Sequence, residues 1–288
     1  MRSRVDVVPS TRQMRSRRPV ALRRVALWVF TALVLAYLFI PIVVVVVFSF
    51  NADRSLGVFG GFSLRWYREF LHDENAIASL MASLKVAVVT TIVSTVLGTM
   101  LAIGLARMRS RIAGPANVLL LLPLVAPEVV TAIALLILFS QSGQSLSLTT
   151  VAIGHITFAI AYVTIIVRGR LAMIDPADEE AAMDLGSTNL GAILRVVIPA
   201  LRPAILGAAF IVFVLSFDNF VTSYFVSGNG VAPLPVVIYS LIRYGVTPEI
   251  NAIGTVMLAL TLVLMAVAIL VAGRAYKGFR DLIGEQHG

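Results

Sequence analysis

The chain contains no cysteine and few charged residues. Of its 288 residues, 13% are charged and 59% are hydrophobic, whereas a typical soluble domain is about a quarter charged and about half apolar. The absence of cysteine excludes disulfides, Cys-ligated zinc and thiol chemistry. The three histidines, His72, His155 and His287, are far apart along the chain and form no metal-ligand motif. We therefore expect no metal site and no bound cofactor.

The sequence also lacks the short motifs of common enzymes. It has no GxxxxGK[ST] loop, so the chain cannot bind ATP in the manner of P-loop proteins. It has neither a Gly-x-Ser-x-Gly elbow nor a His-Glu-x-x-His pair. No catalytic residue is predicted, and we expect that the chain is not an enzyme.

Long apolar stretches separated by short polar segments make up most of the chain, and its mean hydropathy is +0.94. A run of about 18 apolar residues is long enough to cross the hydrocarbon core as a helix. The pattern predicts an all-α polytopic membrane protein rather than a soluble helical core. Six transmembrane helices are expected, at about 25–49, 79–105, 115–139, 149–167, 203–224 and 250–272.

Positive charge is concentrated on one side of these predicted helices. The net charge of +8 alone would suit a nucleic-acid-binding protein, but eight arginines lie in residues 1–24, directly before the first apolar run. Basic residues beside a transmembrane helix set its orientation and contact anionic lipid. Membrane lipid, and not nucleic acid, is therefore the predicted partner. Most other Lys and Arg residues lie in 106–114, 168–202 and after 272, which places both termini in the cytoplasm.

A short acidic and Ala-rich segment interrupts the apolar pattern between the fourth and fifth predicted helices. Asp175 and Pro176 are typical of a helix start, as N-cap and first helical residue. Gly186 can end this helix, and a second short helix is predicted from about Asn189 to Val197. Such a helix-turn-helix with small side chains allows another protein to approach closely. On these residues alone, an ordinary capped loop helix remains the alternative.

The same segment resembles the EAA motif of the inner-membrane permease subunits of ATP-binding-cassette importers, EAA-x3-G-x9-I-x-L-P. Seven positions match in type and spacing: Glu180, Ala181, Ala182, Gly186, Val196, Ile198 and Pro199. Two of them, Val196 and Ile198, replace Ile and Leu of the pattern and remain apolar. The resemblance implies that residues 175–199 are the coupling loop, which contacts a separate ATPase subunit. It also implies a type I permease fold over residues 79–272.

Two further stretches resemble the second permease subunit of spermidine/putrescine importers. They are SFDNFVTSYFVSGNG at 216–230 and LPVVIYSLIRYGVTPEINAIGTVML at 234–258. The resemblance implies a polyamine as the transported solute, moved by alternating access across a bacterial cytoplasmic membrane. It also implies two ATP-binding subunits, a second homologous permease and an extracytoplasmic substrate-binding protein. Permeases for other small solutes share parts of this pattern, so an importer for a different solute is an alternative. An ATPase-independent transporter or channel is the more distant alternative.

Two acidic residues lie inside predicted helices, Glu128 in the third and Asp218 in the fifth. Ionisable groups inside a membrane are costly and usually mark a transport pathway. At about 1.5 Å per residue, both would lie roughly 20 Å from the cytoplasmic face. We expect them to attract a cationic solute, with Asn219, Thr131 and Tyr162 as neutral ligands. Alternatively, each carboxylate only hydrogen-bonds a neighbouring helix.

The remaining boundaries follow from these assignments. In order, we expect a basic cytoplasmic tail, a first transmembrane helix, an extracytoplasmic loop, the permease domain and a cytoplasmic tail, at 1–24, 25–49, 50–78, 79–272 and 273–288. Within the outer loop, FSLRWYREFLHDEN predicts an interfacial helix, with Trp66 and Tyr67 at the level of the lipid headgroups. Another short apolar helix is predicted near 235–243.

Overall fold

The structure is a computed structural model that describes residues 18–55, 57–108 and 110–284. Most of the predicted basic tail, residues 1–17, lies outside these ranges. The chain divides into two compact units, residues 1–47 and 48–288. The first unit contains all of α1 (Arg18–Phe48) except its last residue, and the stretch Arg24–Phe48 is long and apolar enough to cross a membrane. This confirms the first predicted transmembrane helix as a helix.

The second unit is also helical in its described part. Its helices are α2 (Arg65–His72), α3 (Glu74–Arg107), α4 (Ser110–Val125), α5 (Glu128–Gln141), α6 (Leu148–Leu171), α7 (Pro176–Asp184), α8 (Asn189–Ala192), α9 (Ile198–Phe217), α10 (Val221–Val226), α11 (Leu234–Ile242) and α12 (Pro248–Gly284). A π-helical turn, Ile193–Val197, joins α8 to α9. The predicted short helix near 235–243 is confirmed as α11.

Four helices of this unit, α3, α6, α9 and α12, are long and apolar enough to cross a membrane. The third predicted helix differs, because 115–139 is not one straight helix. Its parts Gly114–Val125 and Glu128–Gln141 are bent by 102° relative to each other. Pro127 has no N–H to donate, and a proline disfavours helical geometry at the residue before it. Among the described residues, five helices are therefore long and apolar enough to cross a membrane. The number rises to six only if the bent pair counts as one membrane-crossing segment.

The fifth predicted helix, 203–224, is also interrupted. The helix α9 begins earlier, at Ile198, and ends at Phe217, and α10 starts only at Val221. Between them, Asn219 Oδ1 accepts hydrogen bonds from the backbone N–H groups of Thr222 and Ser223, at 3.1 and 3.4 Å. An amide side chain that binds the backbone in this way competes with helix continuation and caps the next helix.

Small residues let the central helices α3, α6 and α9 pack closely. Gly98 of α3 lies so near α6 that an added Cβ would be 2.6 Å from the Cβ of Val163. Next to this contact, Thr164 Oγ1 donates a hydrogen bond of 3.2 Å to the carbonyl of Gly98. Ala102, Val163 and Leu201, one from each helix, belong to one buried apolar cluster. Close backbone approach of this kind is the main source of helix association inside a membrane.

The segment 50–78 contains the predicted helix, α2 (Arg65–His72), but its tryptophan is placed differently from the prediction. Trp66 is 3% exposed, and its Nε1 donates a 2.7 Å hydrogen bond to the carbonyl of Asn51. Placement of Trp66 among lipid headgroups is therefore wrong, because a protein carbonyl already satisfies its indole N–H. The half-buried Tyr67 shares a hydrogen bond of 2.6 Å with Ser49.

The α3–α6 contact can be tested with two glycines on one helix. We expect Gly98→Ala to destabilise the protein by about 1–3 kcal/mol, because its methyl group overpacks the contact with Val163. Gly104→Ala is the matched control, since an added Cβ there has no neighbour within 4 Å. Thermal unfolding of the detergent-solubilised protein measures both. Equal melting temperatures for the two variants would contradict the close contact.

Candidate functional site

The two helix breaks of the second unit meet at one point. Glu128 is the first residue of α5, directly after the bend at Pro127. Asn219 lies in the break between α9 and α10, and its Nδ2 donates a 2.5 Å hydrogen bond to Glu128 Oε1. Thr222 Oγ1 donates a longer bond, of 3.4 Å, to the same oxygen. The carboxylate of Glu128 and the amide of Asn219 thus connect the two helix breaks, although the two residues are 91 positions apart in the chain.

The five predicted pathway residues line two adjoining cavities at this point. The first cavity, of about 160 Å³, includes Glu128, Thr131, Tyr162 and Asn219. The second, of about 380 Å³, includes Glu128 and Asn219 again, together with Asp218. Among the residues that the structure describes, no Lys or Arg side chain lines either cavity. The structure therefore brings all five residues together around a concave surface with carboxylate and neutral oxygen groups.

The prediction that Glu128 and Asp218 lie equally far along two straight helices is wrong. Glu128 follows a bend of the chain, and Asp218 follows the end of α9. The two residues are close because the two breaks meet, and not because equal lengths of helix precede them. Both side chains are exposed in the single chain. Glu128 does make an interhelical hydrogen bond, yet its carboxylate stays accessible.

The EAA-like segment forms the predicted pair of short helices. Asp175 Oδ1 caps α7 by accepting a 2.9 Å hydrogen bond from the backbone N–H of Ala177. After α7, Gly186 adopts φ +90°, a conformation that residues with a side chain rarely adopt. The second helix is shorter than predicted, because α8 ends at Ala192 and the π-helical turn follows. Sequence reasoning did not predict this turn.

Most of this segment is exposed. The helix α7 has no buried residue, and the EAA positions Glu180, Ala181 and Gly186 are exposed. Ala182, Val196, Ile198 and Pro199 are partly buried. Large apolar side chains are exposed beside them, among them Leu185 at 91%. Exposed apolar residues grouped in this way are typical of a surface that contacts another protein.

One functional candidate was missed at the sequence level. Arg107, at the end of α3, forms an ion pair of 2.6 Å with Glu179 of α7. The same guanidinium donates a 3.0 Å hydrogen bond to Asn189 Oδ1 of α8. From the sequence, Arg107 is only one of the basic residues that indicate orientation. No local pattern pairs it with Glu179 and Asn189, which lie 72 and 82 positions later. It connects a central helix to both short helices of the segment.

Residues 94–280 match the family of the binding-protein-dependent transport system inner membrane component. The chain belongs to this family. It is a multi-pass transport subunit of the inner membrane, and the predicted resemblance to importer permeases is confirmed. The matched region begins later and ends later than the predicted domain at 79–272, whose boundaries therefore stay a prediction.

Two relatives align with most of this permease. The putrescine transport system permease protein PotI of Escherichia coli K12 is 35% identical over 248 residues, which are 84% of this chain and 88% of PotI. The spermidine/putrescine transport system permease protein PotC of Haemophilus influenzae is 36% identical over 242 residues, which are 84% of this chain and 94% of PotC.

Solved structures support the predicted fold. A chain of a bacterial ABC transporter involved in the import of the acidic polysaccharide alginate aligns with TM-score 0.71 and 15% identity, over 88% of the permease and 95% of that chain. A chain of an amino acid ABC transporter aligns with TM-score 0.58 and 22% identity, over 73% and 98%. Together with the family match, these alignments confirm the type I permease fold. The fold alone does not define a solute.

The Arg107–Glu179 pair can be tested by hydrogen exchange. The two side chains are 36% and 23% exposed, so the pair is expected to contribute only about 0.2–1 kcal/mol. We expect Arg107→Gln to accelerate amide exchange in α7 by up to about fivefold, and less at high salt. The double variant Arg107→Glu with Glu179→Arg should restore slow exchange. Arg65→Gln, which breaks the ion pair within α2, is the control. Unchanged exchange in α7 would contradict the link.

Proposed function

We propose that this permease is one of two membrane subunits of an ATP-binding-cassette importer for polyamines such as spermidine and putrescine. The observation that carries the proposal is the pair of carboxylates, Glu128 and Asp218, on two adjoining cavities whose described lining contains no Lys or Arg. The relatives at 35% and 36% identity, named as putrescine and spermidine/putrescine permeases, give the same solute class.

The carboxylates suit an extended polycation for a physical reason. An amine group that leaves water needs a negative partner or hydrogen-bond acceptors, because an unpaired charge in a membrane is costly. Glu128 and Asp218 supply negative charge, and Thr131, Tyr162 and Asn219 supply neutral oxygens beside them. Separate carboxylates match a solute whose charges are spaced along a chain. In this proposal the groups attract the cation as it passes and release it again.

The segment 175–199 is proposed as the contact with an ATP-binding subunit. The EAA residues, from Glu180 to Gly186, lie on the exposed helix α7 and the turn after it. The exposed side chain of Leu185 gives this surface an apolar group to bury. The permease sequence contains no P-loop, and in this proposal the energy for transport comes from ATP hydrolysis in another chain. Two ATP-binding subunits and a second homologous permease would complete the importer.

The proposed orientation places both termini and segment 175–199 in the cytoplasm. This arrangement follows from the distribution of Lys and Arg. The outer segments 50–78 and 225–249 would then contact an extracytoplasmic substrate-binding protein. ATP-driven motion of the coupling segment would shift the subunit between outward-open and inward-open states. The family description, a binding-protein-dependent transport system, supports the substrate-binding protein as a partner. The following two experiments test the ATPase contact and the cation site.

The first experiment concerns coupling. We expect Gly186→Val to leave the permease in the membrane but to reduce co-purification of a P-loop ATPase and solute-stimulated ATP hydrolysis at least about fivefold, because a β-branched residue strains the backbone at φ +90°. Gly186→Asn is the milder control, since Asn tolerates positive φ better. If the Val variant keeps wild-type levels of both readouts, segment 175–199 is not the coupling loop. Transport by the purified permease without any ATPase would support the secondary transporter instead.

The second experiment concerns the carboxylates. We expect Glu128→Gln and Asp218→Asn each to lower spermidine uptake about three- to tenfold, because each keeps the side-chain shape and removes one charge from a partly desolvated site. The double variant should lose less than the product of the single losses, since the two residues share one site. Uptake is measured in cells without other polyamine importers, at matched membrane levels. Asp281→Asn, in the predicted cytoplasmic tail, is the control. Unchanged uptake in both single variants would remove the cation site.

A further inference from the structure

A completely buried histidine bridges the break between α9 and α10. His155 of α6 is 0% exposed. Its Nδ1 shares a 2.8 Å hydrogen bond with Ser216 Oγ, in the last turn of α9. Its Nε2 shares a 3.1 Å hydrogen bond with Ser223 Oγ, in α10. One imidazole ring thus binds both helices, one on each side of the interruption.

The chemistry of imidazole suits this bridge. A neutral histidine has one N–H donor and one acceptor nitrogen, and a serine hydroxyl is able to play either part. Both ring nitrogens are therefore satisfied in either tautomer. A polar ring without partners would be costly at a buried position in a membrane protein. The two hydrogen bonds explain how the ring is accommodated, and they make its position depend on both serines.

The same face of α6 holds α10 at neighbouring turns. Thr150 Oγ1 donates a 2.7 Å hydrogen bond to the carbonyl of Val226, at the end of α10. At Gly154 an added Cβ would lie 2.7 Å from Cγ2 of Thr222, so the backbone of α6 directly contacts α10. His155 adds the third contact, and it alone of the three also reaches α9. From α6, His155 thereby constrains the angle between α9 and α10.

This angle determines where Asn219 points. Asn219 lies between the two serines in the chain, caps α10 through its Oδ1 and donates to Glu128 through its Nδ2. A rotation of α10 relative to α9 would move the cap and the amide together. Glu128 would then lose its 2.5 Å partner. His155 is therefore connected to the cavity through the two serines and Asn219, without lining it.

We propose that His155 is a positioning residue for the cation site, which acts by bridging Ser216 and Ser223 so that Asn219 holds the Glu128 carboxylate at the cavity. The inference rests on the proposed function, because it assigns a role within the proposed solute pathway. It predicts that the effect of His155 passes through Glu128 and disappears when the carboxylate is gone. A residue needed only for folding would not show this dependence.

The first test separates KM from Vmax for spermidine uptake. We expect His155→Leu to raise KM about fivefold, the effect of weakening roughly one net hydrogen bond, with Vmax per assembled transporter changed less than about twofold. His155→Gln, whose amide keeps one donor and one acceptor, should recover part of the loss. In a Glu128→Gln background, His155→Leu should add no further increase in KM. His72→Leu, at the end of α2, is the control. An unchanged KM, or equal fold-changes in both backgrounds, would overturn the inference.

A second measurement remains informative if His155→Leu fails to fold or if polyamine is not the solute. The chain has no cysteine, so Leu215→Cys supplies a single thiol that lines both cavities. Its rate of labelling in membranes is measured with a cationic methanethiosulfonate. We expect Ser216→Ala and Ser223→Ala, which each remove one end of the bridge, to change this rate at least about threefold. If both serine variants are labelled at the same rate as Leu215→Cys alone, the bridge is overturned. Failed uptake by the wild type, with altered labelling, would instead count against the polyamine alone.

Discussion

Inside a membrane, every backbone N–H and C=O group needs a hydrogen-bond partner within the protein. A continuous helix meets this requirement by itself, whereas an interrupted helix depends on side chains. In the described part of its second unit, helices are interrupted at Pro127 and at Asp218–Asn219. Asn219 accepts hydrogen bonds from two N–H groups near the start of α10 and also binds Glu128. The need to satisfy a broken backbone thus brings polar side chains to the two cavities that we propose as the solute pathway.

The surrounding helices make this arrangement rigid through small side chains and few polar contacts. Gly98 lets α3 approach α6, and Gly154 lets α6 approach α10. Between apolar surfaces in lipid the hydrophobic effect contributes little, so close packing and hydrogen bonds have to hold the helices together. His155 illustrates the second contribution, since its two ring nitrogens bind serines on both sides of a break.

The helix α3 ends at Arg107, which contacts segment 175–199. The same helix packs against α6 and α9 near Ala102, a few residues before this contact. This continuity offers a physical route between the helix bundle and segment 175–199, although an exposed ion pair contributes little stability by itself. The exposed Leu185 shows that the segment has an apolar surface left for a partner.

The sequence by itself determined the helical class, the positions of most long helices, the cap at Asp175, the turn at Gly186 and the permease family. These features depend on local periodicity, on capping chemistry and on residues at fixed spacing, all of which are visible in one dimension. It also selected Glu128 and Asp218, because an acidic residue in an apolar run is conspicuous. Only the tertiary structure decided that Asn219 joins Glu128, that His155 bridges two serines and that Arg107 reaches α7. Each of these contacts links residues more than 60 positions apart, and such contacts depend on where broken helices meet in space, which no local pattern specifies.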